Sequence, residues 1–175
     1  MSTSRVKEPE DMNSLQQRLS FLIHTISNRI ALFGQHLHRE HGINHFTARI
    51  LVLLLEHEEL RISDLVELLV LPQSTLSSHL QVLQKKGLIR KRRSRKDSRS
   101  VYLSLSPAGL ELAHACNEMS QRANAGMLDG IDPAERQMAF EFLRKVSDRL
   151  PVLLEHLGEQ QALSSAAKAK VPPPG

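Results

Sequence analysis

Residues 71–105 read LPQSTLSSHLQVLQKKGLIRKRRSRKDSRSVYLSL, and the fold turns on how this stretch is divided. Its first half places Leu76, Leu80 and Leu83 at helical spacing, with Pro72 positioned to pre-organise the start of a helix and Gly87 to end it. After Gly87 the period changes. Val101, Leu103 and Leu105 alternate with Tyr102 and Ser104, the two-residue rhythm of a half-buried strand, and residues 88–93 supply a second strand across the turn SRKDSR. Seven basic residues lie between Arg90 and Arg99 against one acid, Asp97, so the positive charge of the chain is placed rather than spread. A helix, a glycine stop and a basic-tipped ribbon predict a winged helix-turn-helix module.

The outward face of that helix carries the chemistry. At about 100° per residue, Ser74, Ser78, Gln81 and Lys85 stack opposite the leucines, with Thr75, Ser77 and His79 on the flanks. Short hydroxyls, an amide and an imidazole can reach base edges or phosphates from a helix lying in a major groove. Such a row on its own is more often a solvated helix face; its position directly before a basic ribbon favours DNA. In the ribbon, Arg92, Arg93, Arg95, Lys96 and Arg99 are candidates to neutralise phosphates, and an arginine such as Arg99 can enter a narrow minor groove. Asp97, two residues before Arg99, is spaced to orient its guanidinium.

Working outward, the rest of the chain is leucine-rich and poor in aromatics, with five Phe, one Tyr and no Trp among 175 residues, so its core must be aliphatic. The expected fold is mainly α with a small two- or three-stranded antiparallel wing. A net charge of +4 and a pI near 9.5 suit a polyanionic partner only in combination with the local clustering. A single cysteine, Cys116, excludes an intramolecular disulfide framework and fits a reducing cytosol. No apolar run approaches the ~20 residues of a membrane-spanning helix. The start MSTSRVKEPEDM lacks the apolar segment of a signal peptide, so a cytoplasmic protein with no membrane partner is expected. With no glycine-rich phosphate loop and no nucleophile motif, neither an enzyme nor a cofactor is expected.

The organisation read from the pattern has five parts. Residues 1–12 form a flexible arm. Residues 13–45 hold one long helix, whose apolar positions Leu15, Leu19, Leu22, Ile26, Ile30, Phe33 and Leu37 make a single seam ending at Gly42. Residues 46–105 form the winged module, with Ser63 as N-cap of a helix over 64–69. Residues 106–158 carry two further helices, the first opened by Ser106-Pro107 and the second kinked at Pro151, and residues 159–175 have the composition of a disordered tail. Open apolar seams on both sides of a small module are what a helical dimer interface looks like in sequence.

From ISDLVELL through STLSSHLQVLQKKGLIRKRRSRKDSRSVYLSLSPAG the chain resembles the MarR family of bacterial winged-helix regulators. The family's Asp-x-Arg wing step stands here as Asp97-Ser98-Arg99. Its Leu-[Thr/Ser]-x-x-Gly step stands as Leu105-Ser106-Pro107-Ala108-Gly109, and its turn after the reading helix runs from Leu83 to Gly87. Pro72 stands where many relatives have serine, which alters the first-turn contacts. The resemblance, over roughly residues 15–155, implies a homodimer built from the first and the last two helices. It also implies a repressor that reads a pseudo-palindromic operator in double-stranded DNA and is released by a small-molecule effector such as an aromatic acid.

Arg29, midway along the first helix, could partner an effector carboxylate, although a surface salt bridge is the commoner use of such a residue. His36, His38, His41 and His45 cluster where the first helix meets the second, and His114 with Glu118 is an i, i+4 pair. These leave His36 and His41 as effector candidates and a zinc-responsive regulator as an alternative, although no ligand set has the spacing of an established site. A protein-binding winged helix is the remaining alternative. The peroxide sensors of the family use a cysteine near the start of the first helix; this chain has none there, and Cys116 falls on an apolar stripe.

Overall fold

The computed structural model describes residues 14–93 and 100–169, without the side chains of Leu37 and residues 157–169. The chain forms two compact units, residues 1–126 and 127–175.

The first unit begins with a 3-10 turn, Leu15–Gln17, followed by α1 (Leu19–Phe33) and α2 (Gln35–Glu40). The single helix expected from the seam is therefore broken at Gly34. A β-carbon built there would lie 2.5 Å from Met119 Cε and 2.7 Å from the His38 ring, so the missing side chain is what admits both groups to the break. Helix α3 (His45–His57) is fixed by a reciprocal cap: Thr47 N–H donates to Asn44 Oδ1 at 2.9 Å, and Asn44 N–H donates to Thr47 Oγ1 at 2.8 Å.

A short strand, β1 (Glu59–Arg61), leads into α4 (Ile62–Leu69) and α5 (Gln73–Lys85). The cap of α4 differs from the expectation. Asp64, not Ser63, closes the helix start, its carboxylate accepting from the Arg61 backbone N–H at 3.1 Å and from Arg61 Nε at 3.0 Å. That contact with the Arg61 side chain holds the Asp64 carboxyl below its ordinary range. Strands β2 (Ile89–Arg93) and β3 (Val101–Leu105) complete an antiparallel sheet of order β1-β3-β2, with Glu59 opposite Ser104, Ser104 opposite Arg90, and Tyr102 between Arg61 and Arg92.

Helices α3, α4 and α5, the sheet and the first turns of α6 (Pro107–Leu128) share one aliphatic core. Ile50, Leu51, Leu54, Leu65, Leu76, Leu80, Leu83, Leu103, Leu112 and Cys116 are all buried in it. The boundary expected between residues 105 and 106 thus falls inside a continuous packing layer, because Leu112, Ala113 and Cys116 are part of the module that α6 was expected only to follow.

In the second unit, α7 (Pro133–Ala169) starts where Asp132 Oδ1 accepts the Ala134 N–H at 2.8 Å, and it carries Pro151 within its length. It also runs through the segment expected to be a disordered tail, as far as Ala169. Residues 159–169, EQQALSSAAKA, hold four Ala and two Gln with single Glu, Leu and Lys residues, and the strong helix propensity of these types outweighs the polar, low-complexity look of the segment.

Candidate DNA-binding interface

Helix α5 presents two faces of opposite character. Leu76, Leu80 and Leu83 are buried, while Ser74, Thr75, Ser77, Ser78, Gln81 and Lys85 are exposed. Ser78 Oγ donates back to the Ser74 carbonyl at 3.2 Å, a bond that a rotamer change would free. His79 stands apart from the others. It is half-buried and stacks on Phe46 of α3, with ring centroids 5.3 Å apart and an interplanar angle of 22°. Its ring therefore ties α5 to α3 as much as it faces outward. Pro72 occupies the cap position of α5 and provides no side-chain acceptor, so the first-turn N–H groups are left to solvent or an anion. Gln73 is exposed at the first position of this helix and belongs with the polar row. Its place beside Pro72 was the available signal for it.

Each strand of the ribbon sends alternate residues to the same side, so Glu59, Arg61, Arg90, Arg92, Tyr102 and Ser104 share the face turned away from buried Leu60 and Leu103. Arg61 is taken by Asp64, at 2.8 Å. Arg92 is taken by Glu59: Nη2 donates to Oε2 at 2.7 Å and to Oε1 at 3.0 Å, and the guanidinium lies 5.0 Å over the Tyr102 ring. Both contacts with Glu59 and Tyr102 raise the Arg92 pKa further, so its charge is permanent. Among the described residues, Arg90, Lys91 and Arg93 form no ion pair and are exposed. Arg92 was expected to act as Arg93 does; the geometry separates the two. Arg95, Lys96, Asp97 and Arg99, with the Asp97–Arg99 pair, lie outside the described residues.

The effector candidates lie on successive elements. Arg29 is exposed on α1, His36 is exposed on α2, and His41 is exposed in the turn that follows. Of the four clustered histidines it is His38, outside the effector candidates, that is 7 % exposed and has no partner for Nε2. Burial, then the nearby His45, pushes its pKa down. No three His, Cys, Asp or Glu side chains among the described residues converge on a common point, so the histidine cluster does not assemble a ligand set there.

A helix-turn-helix whose second helix turns a polar face outward, followed by a cationic β-ribbon, defines the winged helix-turn-helix class. Residues 41–100 match the family model described as MarR family. The chain is 29 % identical over 150 residues to the organic hydroperoxide resistance transcriptional regulator of Bacillus subtilis (strain 168), covering 86 % of this chain and 96 % of that protein. A MarR-family transcriptional regulator from Silicibacter pomeroyi superposes with a TM-score of 0.68 at 28 % identity, over 78 % of this chain and 92 % of that one. One from Listeria monocytogenes, crystallised with a 26mer DNA, superposes with a TM-score of 0.74 at 21 % identity, over 81 % and 95 %. Residues 41–100 thus match the MarR family, and over most of its length the chain is similar to transcription regulators of that kind.

Proposed function

We propose that the chain is a homodimeric repressor that grips a pseudo-palindromic DNA site through two copies of α5 and the β2–β3 ribbon, and releases it when a small organic effector binds. The observation that carries this reading is the combination, on one packed module, of a hydroxyl-and-amide face on α5 with the unpaired ribbon cations Arg90, Lys91 and Arg93. The first can discriminate base edges, and the second supplies affinity that depends on salt rather than on sequence. The Listeria neighbour, crystallised with DNA, supports the same use of the fold.

Support for the dimer comes from apolar surface. Helix α1 exposes Leu22, Ile23, Ile26 and Ile30, and α7, in its own unit, exposes Met138, Phe142, Leu150 and Leu153. Of these, Leu22, Ile26 and Ile30 belong to the apolar seam read from the sequence, and a second copy is the partner that would cover such surface. Two-fold pairing sets the half-sites about one helical turn apart, ~10 bp. Repression and release rest on the likeness to the MarR family, with Arg29, His36 and His41 as the candidate side chains for an acidic ligand. Among the described residues no helix is long and apolar enough to cross a membrane, and the cytoplasm is where such a regulator would meet its DNA.

Fluorescence anisotropy with a duplex from the region upstream of the protein's own gene, against a scrambled duplex, tests the reading across a salt series. Preference for the upstream duplex by about 10³-fold or more, with log affinity falling linearly with log salt, supports it. Equal affinity for both duplexes, or a monomer by sedimentation at the concentrations that bind, refutes it.

A further inference from the structure

Arg92 sits in the basic run and looks, by sequence, like one more phosphate ligand. Its geometry is that of a strut. Glu59 is on β1, Arg92 is on β2, and the two are edge strands that exchange no backbone hydrogen bonds because β3 lies between them. Two strand spacings, roughly 9.5 Å, separate such edges. The Arg92 side chain crosses that gap over the Tyr102 ring and makes a two-point contact with the Glu59 carboxylate. Among the described residues Glu59 is the only acid on this face of the sheet, and it pairs with Arg92 rather than with Arg90, which lies directly across Ser104 from it.

We propose that Arg92 is a positioning residue for the wing, not a phosphate contact: with Glu59 and Tyr102 it fixes β2 against β1 and so sets the direction in which the ribbon leaves the module. The inference rests on the DNA-binding reading above. A guanidinium already paired with a carboxylate brings little net positive charge to a phosphate, whereas Arg90, Lys91 and Arg93 bring theirs undiminished. The two-point contact and the ring beneath it need a planar fork, which a lysine ammonium cannot supply.

The two roles predict opposite signs for one substitution. Glu59→Gln removes a negative charge beside the DNA and frees Arg92, so a phosphate-binding Arg92 would make the variant bind more tightly. A strut makes it bind more weakly, by roughly three- to five-fold. Arg92→Lys should lose as much as Arg92→Ala, and neither should change the slope of log affinity against log salt. Arg93→Ala, in contrast, should reduce that slope by about one. The titrations use the full-length protein and the upstream duplex, at a temperature where thermal melting shows every variant folded. Hydrogen exchange without DNA gives an independent readout: amides of β2 should exchange roughly three- to five-fold faster in Glu59→Gln and Arg92→Ala, while those of α3 are unchanged. Tighter or unchanged binding by Glu59→Gln, a slope reduced in Arg92→Ala, or unaltered β2 exchange overturns the strut. Wild-type protein that binds no duplex sinks the DNA-binding reading instead, and the exchange result still decides whether the strut exists.

Discussion

The carbonyl of Leu88 occupies the space that a β-carbon on Gly109 would need. The same carbonyl oxygen accepts the Ser106 N–H at 3.0 Å, and Ser106 Oγ accepts the Gly109 N–H at 3.0 Å. One oxygen, one hydroxyl and one missing side chain thus join the exit of α5 and the base of the ribbon to the start of α6. This is the physical content of the Leu-[Ser/Thr]-x-x-Gly step. The serine caps the helix, and the glycine lets that helix lie against the backbone it must not push away.

Gly109→Ala should therefore lower folding stability by about 1–3 kcal/mol, since the colliding partner is backbone and cannot rotate aside. Ser106→Ala removes only the cap and should cost about 1 kcal/mol. Urea midpoints give both values. An alanine at 109 as stable as wild type would mean that the joint is not close-packed.

Val70 closes α4 in the left-handed region, at φ 50° and ψ 44°, with its side chain 86 % exposed. A β-branched residue is poorly suited to that conformation, which costs an L-residue about 1–2 kcal/mol. The side chain packs against little that could repay it. Val70→Asn, a residue that tolerates this conformation at helix ends, should raise stability by about 1 kcal/mol. An unchanged or lower thermal midpoint would contradict the strain.

How much of this was legible beforehand follows the range of the interactions. The α5 face and the ribbon were readable because leucine spacing and strand alternation are local. Strand β1 was not: Glu59-Leu60-Arg61 is too short to show a period, and it becomes a strand by pairing with Tyr102–Ser104, some forty positions on. The Glu59–Arg92 pair is hidden for the same reason, since nothing near Arg92 in sequence marks it off from Arg93. The break at Gly34 escaped because the apolar seam runs through it without a change of phase, and only the approach of Met119 gives that glycine a purpose.

Buried His38 makes stability depend on pH. Its folded pKa lies below the ordinary value of 6.5, chiefly through burial and next through the nearby His45, which itself lies close to the positive Arg49 and to His79. The unfolded chain therefore binds a proton that the folded chain refuses, and the stabilisation is whole above the unfolded value and lost as pH falls below it. Wild type should lose stability between about pH 7 and about pH 5, and His38→Leu should lose distinctly less, its stability near neutrality staying within about 1 kcal/mol because the Nε2 it removes has no partner. Parallel pH slopes in urea denaturation for the two proteins would exclude His38 as the source.

Cys116 bears on the kind of signal the protein can receive. The side chain is 2 % exposed among aliphatic residues of the core, and burial pushes the thiol up to about 11. Oxidation by a hydroperoxide proceeds through the thiolate, which at neutral pH is a minute fraction of such a group, and the reagent must also reach a sulfur that solvent scarcely touches. Folded protein exposed to an organic hydroperoxide should keep Cys116 reduced by mass spectrometry and keep its DNA affinity unchanged. In urea, where the thiol returns toward its ordinary pKa, the same reagent should oxidise it. Rapid sulfenic acid formation at Cys116 in the folded protein, accompanied by release of DNA, would show instead that the core around α6 opens often enough to make the thiol a sensor.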